Sequence, residues 1–126
     1  MPIERLDHVN LRTTRLAEMI QWYEEILGLS SGTRPDFGFD GAWLYAGDVA
    51  VVHLIAIEDD HAAGSETALK LEHFAFRASG DPEAFQDRLQ QKGVAYRRSG
   101  IEALHLAAFN VWDPDGNHIH VDYVTE

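Results

Sequence analysis

The segment DPDGNHIHVDYVTE, residues 113–126, sets His118, His120 and Asp122 two apart and alternates them with Ile119, Val121 and Tyr123. Strand side chains point to opposite faces with a period of two, so one face of this segment is apolar and the other carries two imidazoles and a carboxylate. Imidazole nitrogens bind divalent metals and carry protons near neutral pH. A lone strand histidine is usually a hydrogen-bonded structural residue, so metal chemistry requires other imidazoles to converge on this one face.

The search for them begins with a repeat. LDHVNLR (residues 6–12) and LEHFAFR (residues 71–77) match at Leu6/Leu71, Asp7/Glu72, His8/His73, Val9/Phe74, Leu11/Phe76 and Arg12/Arg77, and the same spacing of 65 carries Gly28 onto Gly93. Such in-register similarity marks an internal duplication. His8 and His73 are therefore equivalent positions of two copies.

Each copy reads as one strand, one helix and three strands. RLDHVNLRT and KLEHFAFRA alternate as strands do. RLAEMIQWYEEILG sets Leu16, Met19, Ile20, Tyr23, Ile26 and Leu27 on one helical stripe, with Thr14 as the expected N-cap and Gly28 at the left-handed C-terminal position. In DPEAFQDRLQQKG, Asp81 is the expected N-cap, Pro82 occupies the first helical position and Gly93 ends the helix. Further strands are expected at 30–34, 42–46, 49–57, 95–98, 104–111 and 118–124, with turns at Gly47-Asp48 and DPDGN. The turn chemistry of DPDGN explains Asp113 and Asp115.

The expected architecture is thus α+β: two tandem βαβββ modules forming a curved mixed sheet with helices on the outer face. One domain spans 1–126, with module one at about 1–57, an acidic linker at 58–68 that contains His61, and module two at 69–126. Val9, Leu11, Phe74, Phe76, Ile119 and Val121 should pack beneath the helices. The opposite, concave face then receives His8, His73, His118, His120 and Asp122, together with His53 from VAVVHLIAI. Three or four nitrogen and oxygen donors of this kind suit zinc, nickel, manganese or iron(II). A spacing of 65 pairs His53 with His118, whereas a two-residue length difference pairs it with His120; both share a face, so the pattern leaves the choice open. His105 is assigned a structural role.

Composition narrows the partners. A 126-residue chain with 45% hydrophobic and 25% charged residues is an ordinary globular domain. Its net charge of −11 disfavours nucleic acid and anionic membranes and leaves a small molecule as the expected partner. Cysteine is absent, which removes thiolate ligands and fits a cytoplasmic setting. MPIERLDHVN lacks the basic and apolar regions of a secretory signal, and no apolar run reaches membrane-spanning length.

With LDHVNLRT, WYEEILGL, EHFAF and DPDGNHIHV in hand, nearly the whole chain resembles the vicinal oxygen chelate superfamily, which includes glyoxalase I, extradiol dioxygenases and the fosfomycin and bleomycin resistance proteins. The resemblance implies paired βαβββ modules, a divalent metal in the cleft between them, and commonly a homodimer. It implies metal ligands at His8, His53, His73 and His120, selecting His120 over His118. His118 and Asp122 then flank the metal as catalytic proton-transfer groups. His53 and His120 stand where glyoxalase I-like members often carry glutamate, so the proton-accepting carboxylate ligand of that reaction is missing, as is the carboxylate of an extradiol iron site.

The leading expectation is a metal-dependent, glyoxalase-like lyase or isomerase that chelates a small oxygenated substrate. A non-catalytic binding or resistance protein and an extradiol dioxygenase are the alternatives. In RPDFGFDGAWLYAGD, Trp43 and Tyr45 are expected to form a substrate wall, with Arg34 available for a carboxylate or phosphate.

Overall fold

A computed structural model describes residue 2 and residues 4–58 and 71–124. His61 and most of the expected linker lie outside them. The chain divides into two compact units, Met1–Ala68 and Leu69–Glu126.

Unit one contains β1 (Val9–Thr13), α1 (Leu16–Glu25), β2 (Ser30–Ser31), β3 (Gly41–Ala46) and β4 (Val49–Ala56), in the sheet order β1-β4-β3-β2. β1 pairs parallel to β4, and the other neighbours pair antiparallel. Unit two repeats this plan with β5 (Phe74–Ala78), α2 (Pro82–Gln91), β6 (Arg97–Ile101), β7 (Leu106–Trp112) and β8 (His118–Val124), in the order β5-β8-β7-β6. The duplicated βαβββ fold read from the sequence is therefore the fold observed, as two four-stranded mixed sheets with one helix each. No described helix is long and apolar enough to cross a membrane.

Packing follows the two periodicities. Met19 and Tyr23, one turn apart on α1, are fully buried against a sheet face that contributes Leu44, Val52 and Leu54. In unit two, Phe85 of α2 meets Phe109 and Tyr123, and Leu89, Val111 and Ile119 are fully buried as well. Phe85 contacts the Phe109 ring edge-on, with centroids 5.1 Å apart. Each such side chain contributes about 1.5–3 kcal/mol relative to exposure. Burial raises the Tyr123 phenol pKa above its ordinary value. Ile119 and Val121 are buried on this face as expected, whereas Val9, Leu11, Phe74 and Phe76, expected beside them, are only half-buried; the alternate residues face the other way.

Local chemistry sets the ends of the helices. Asp81 caps α2 by accepting the Glu83 N–H at 2.9 Å. Gly28 and Gly93 are left-handed, with φ of 72° and 65°. The expected Thr14 cap is corrected: α1 begins at Leu16, and the buried Thr13 hydroxyl accepts the Arg15 N–H at 2.9 Å. Three strand boundaries also move. β2 is only two residues long, although the Gly32 N–H still bonds to the Trp43 carbonyl at 3.1 Å. β6 starts at Arg97, and a 3₁₀ turn at Glu102–Leu104 delays β7 until Leu106.

Candidate metal and substrate site

Register decides which histidines correspond. Asn10, His53 and Trp43 form one cross-strand row in unit one, while Ala75, His120 and Asn110 form the matching row in unit two. From His53 to His120, and from Trp43 to Asn110, the spacing is 67, against 65 from Val9 to Phe74. Unit two is thus two residues longer between its helix and its third strand. His53 corresponds to His120, and His118 corresponds to Val51.

In unit one the His8 and His53 rings stack, with centroids 3.9 Å apart and planes 10° apart. In unit two His73 and His120 stack at 3.8 Å and 4°. Each pair joins the residue just ahead of the first strand to the middle of the last strand. Two imidazoles are thus delivered side by side, twice, by the same local geometry.

A carboxylate one residue earlier orients the first ring of each pair. Asp7 Oδ2 accepts from His8 Nδ1 at 2.7 Å, and Glu72 Oε2 contacts His73 Nδ1. Both carboxyls are held below the usual carboxylate range, mainly by these hydrogen bonds. With the proton fixed on Nδ1, Nε2 keeps a lone pair for a cation, a common outer-shell arrangement at metal sites. Glu72 also reaches His118, with Oε1 3.1 Å from Nδ1, so one carboxylate orients two rings.

The second ring of each pair is biased toward the neutral form. Burial, then the neighbouring His8, lowers the His53 pKa; burial, then His73 and His118, lowers that of His120. His53 Nε2 lies 3.1 Å from the Ala50 carbonyl, which leaves Nδ1 for a ligand. A neutral imidazole is the form that binds metal. This donor set fits a divalent cation.

His73, His118 and His120 place one nitrogen each within 4.8 Å of one another, the only such group of three potential ligands among the described residues. His118 is also held on its far side, because Nε2 is 2.9 Å from Asn110 Oδ1. With both nitrogens engaged, His118 would have to give up a partner to bind metal, whereas His120 would not. Trp112 stacks on His118 at 5.1 Å and 12°. Asp122 shares the face of His120, and its Oδ1 is buried without a hydrogen-bond partner.

Of the expected substrate wall, Trp43 stacks on His53 at 4.1 Å and 13°. Tyr45 donates its hydroxyl to the Thr33 carbonyl and covers Gly32. Arg34 lies over Phe37 and Phe39. His105 adopts a left-handed φ of 51° at the end of the 3₁₀ turn, its N–H bonded to Glu102 O.

Several contributors carry only a faint signal in the sequence. For Asp7 and Glu72 the signal is an acid directly before the histidine in both copies, which the repeat aligns without assigning a role. Asn110 is 1% exposed and gathers Arg97, Ser99 and His118. Its place could not be read without the register.

Comparison with known proteins agrees with the fold. A model of the Glyoxalase/Bleomycin resistance protein/Dioxygenase superfamily matches residues 5–121. Glyoxylase I 4 of Arabidopsis thaliana is 26% identical over 121 residues, which cover 92% of this chain and 68% of that protein. A glyoxylase/bleomycin resistance protein/dioxygenase domain from Frankia sp. EAN1pec superposes with a TM-score of 0.76 at 20% identity, covering 99% of this chain and 95% of that one. A lactoylglutathione lyase from Agrobacterium tumefaciens superposes with a TM-score of 0.67 at 14% identity, covering 98% and 96%.

Proposed function

The chain belongs to the Glyoxalase/Bleomycin resistance protein/Dioxygenase superfamily, and from that premise we propose that it is a divalent-metal-dependent, glyoxalase-like enzyme acting on a small oxygenated substrate. The observation that carries the reading is the twice-built imidazole pair, His8 with His53 and His73 with His120. These four side chains are the proposed ligands. When bound, the cation supplies Lewis-acid polarisation of substrate oxygens.

The remaining roles fall to the chain's own groups. Asp7 and Glu72 hold the first rings in one tautomer. No carboxylate stands among the proposed ligands, so proton transfer falls to His118 or Asp122. His118 is held by Glu72 Oε1 at Nδ1 and by Asn110 Oδ1 at Nε2, so exchanging a proton with substrate requires Nε2 to leave Asn110 while Glu72 keeps the ring oriented. Asp122 offers a carboxylate oxygen that no protein donor occupies.

The test is elemental analysis of tag-free protein, paired with turnover of a glutathione–methylglyoxal adduct and other small hydroxycarbonyl compounds. The wild type should retain a divalent metal and lose turnover on chelation, and the His8→Ala/His73→Ala variant should retain none. Equal metal in both proteins would remove the proposed site. Metal binding without turnover of any compound would favour a binding role instead.

A further inference from the structure

Unit one carries a second feature on the face of the His8–His53 pair. Phe39, Phe37, Trp43, His53 and His8 form an unbroken run of rings, with successive centroids 5.5, 6.3, 4.1 and 3.9 Å apart. Its outer end is open to solvent, since Phe37 and Phe39 are 48% and 47% exposed. Two stacked phenyl rings left in water are an apolar surface for a flat ligand to cover.

Arg34 lies along this run. Its Cζ is 4.9 Å from the Phe37 centroid and 5.2 Å from that of Phe39. Its Nη2 donates to the Phe39 carbonyl at 3.1 Å and lies 2.8 Å from where a Cβ on Gly41 would sit, so the guanidinium rests on strand backbone that only glycine leaves open. Nε is buried with no hydrogen-bond partner. No carboxylate pairs with Arg34 among the described residues, although the chain has 21 acidic and 10 basic side chains. The nearby Asp36 instead accepts the Gly38 N–H at 3.0 Å. A partly desolvated cation with no anion, fixed beside exposed rings, is an incomplete ion pair. A planar guanidinium is suited to a planar carboxylate.

We propose that Arg34, Phe37, Phe39 and Trp43 form a binding site for an aromatic carboxylate, whose ring lies on the phenyl and indole surfaces while its carboxylate meets the Arg34 guanidinium. The assignment depends on unit one alone and needs no metal, so it stands or falls separately from the metal-centre reading. It also gives the ligand a direction, because the same ring run ends at His53 and His8.

The test uses the full chain after chelator treatment, with phenylacetate, its neutral amide phenylacetamide, and acetate as probes. Binding is followed by the NMR shift of the Trp43 indole N–H, identified with Trp43→Phe. Phenylacetate should bind in the millimolar range or better, about tenfold more tightly than the amide, as one charge-assisted hydrogen bond implies. Acetate should bind more weakly than phenylacetate, because it lacks the ring. Arg34→Gln should abolish the preference for acid over amide, while Phe37→Ala should weaken both aromatic probes. If the wild type binds acid and amide equally, or binds neither, the assignment is overturned. That comparison needs no variant to fold. Retention of the acid preference in a folded Arg34→Gln protein would overturn it equally.

Discussion

Removing the Glu72 carboxylate tests the orienting arrangement directly. Its two oxygens face His73 Nδ1 and His118 Nδ1, whereas Asp7, its counterpart in unit one, orients His8 alone. Losing an outer-shell partner of a metal-bound histidine costs roughly 10–100-fold in metal affinity. Asp7→Ala should fall near the lower end, about tenfold, because one ring loses its anchor. Glu72→Ala should approach the upper end, about a hundredfold, because His73 is freed and His118, 4.9 Å from His120, loses its restraint as well. Both carboxylates are largely exposed, at 62% and 71% for Asp7 and Glu72, so thermal stability should barely change. Zinc affinity, measured by competition with a chromogenic chelator alongside thermal melts, gives the readout. Wild-type affinity in Glu72→Ala would refute the reasoning, and so would a larger loss in Asp7→Ala.

Two further outcomes follow from other groups. Asp113, 4% exposed, accepts from the Asp115 N–H (3.0 Å), the Asn117 N–H (2.9 Å) and Asn117 Nδ2 (2.8 Å). Asp113→Ala should therefore cost about 2 kcal/mol and lower Tm by several degrees in a thermal melt, and an unchanged melt would exclude this account of the turn. The metal-free protein should lose stability as pH falls through 6.5, the ordinary imidazole value, toward the lowered values of His53 and His120. In that window the unfolded chain takes up protons that the fold resists, so acid favours unfolding. Replacing both histidines with phenylalanine should flatten the dependence of Tm on pH, and an unaltered slope would show that other groups cause it.

The sequence alone determined the duplicated fold. Its evidence was local: the match of residues 6–12 to 71–77, helical stripes such as Met19 with Tyr23, and capping chemistry such as Asp81-Pro82. These signals are legible because helix and strand periodicities depend on neighbours a few residues away. The same alternation placed His53, His118, His120 and Asp122 opposite the apolar residues of their strands. The Thr14 cap does not form: α1 begins without a side-chain cap, and the buried Thr13 hydroxyl accepts the Arg15 N–H ahead of it.

Tertiary structure decided what depends on register. Parity puts His118 and His120 on one face and cannot separate them; pairing across β1, β4 and β3, and across β5, β8 and β7, makes His120 the counterpart of His53. Only the folded chain brings Glu72 against His118, which is 46 residues away, or sets Arg34 over Phe37 and Phe39 without an acidic partner. Periodicity fixes the face on which a side chain stands. Its neighbours on that face are fixed by hydrogen-bonded strands that are distant in the chain, where a shift of one residue replaces every contact.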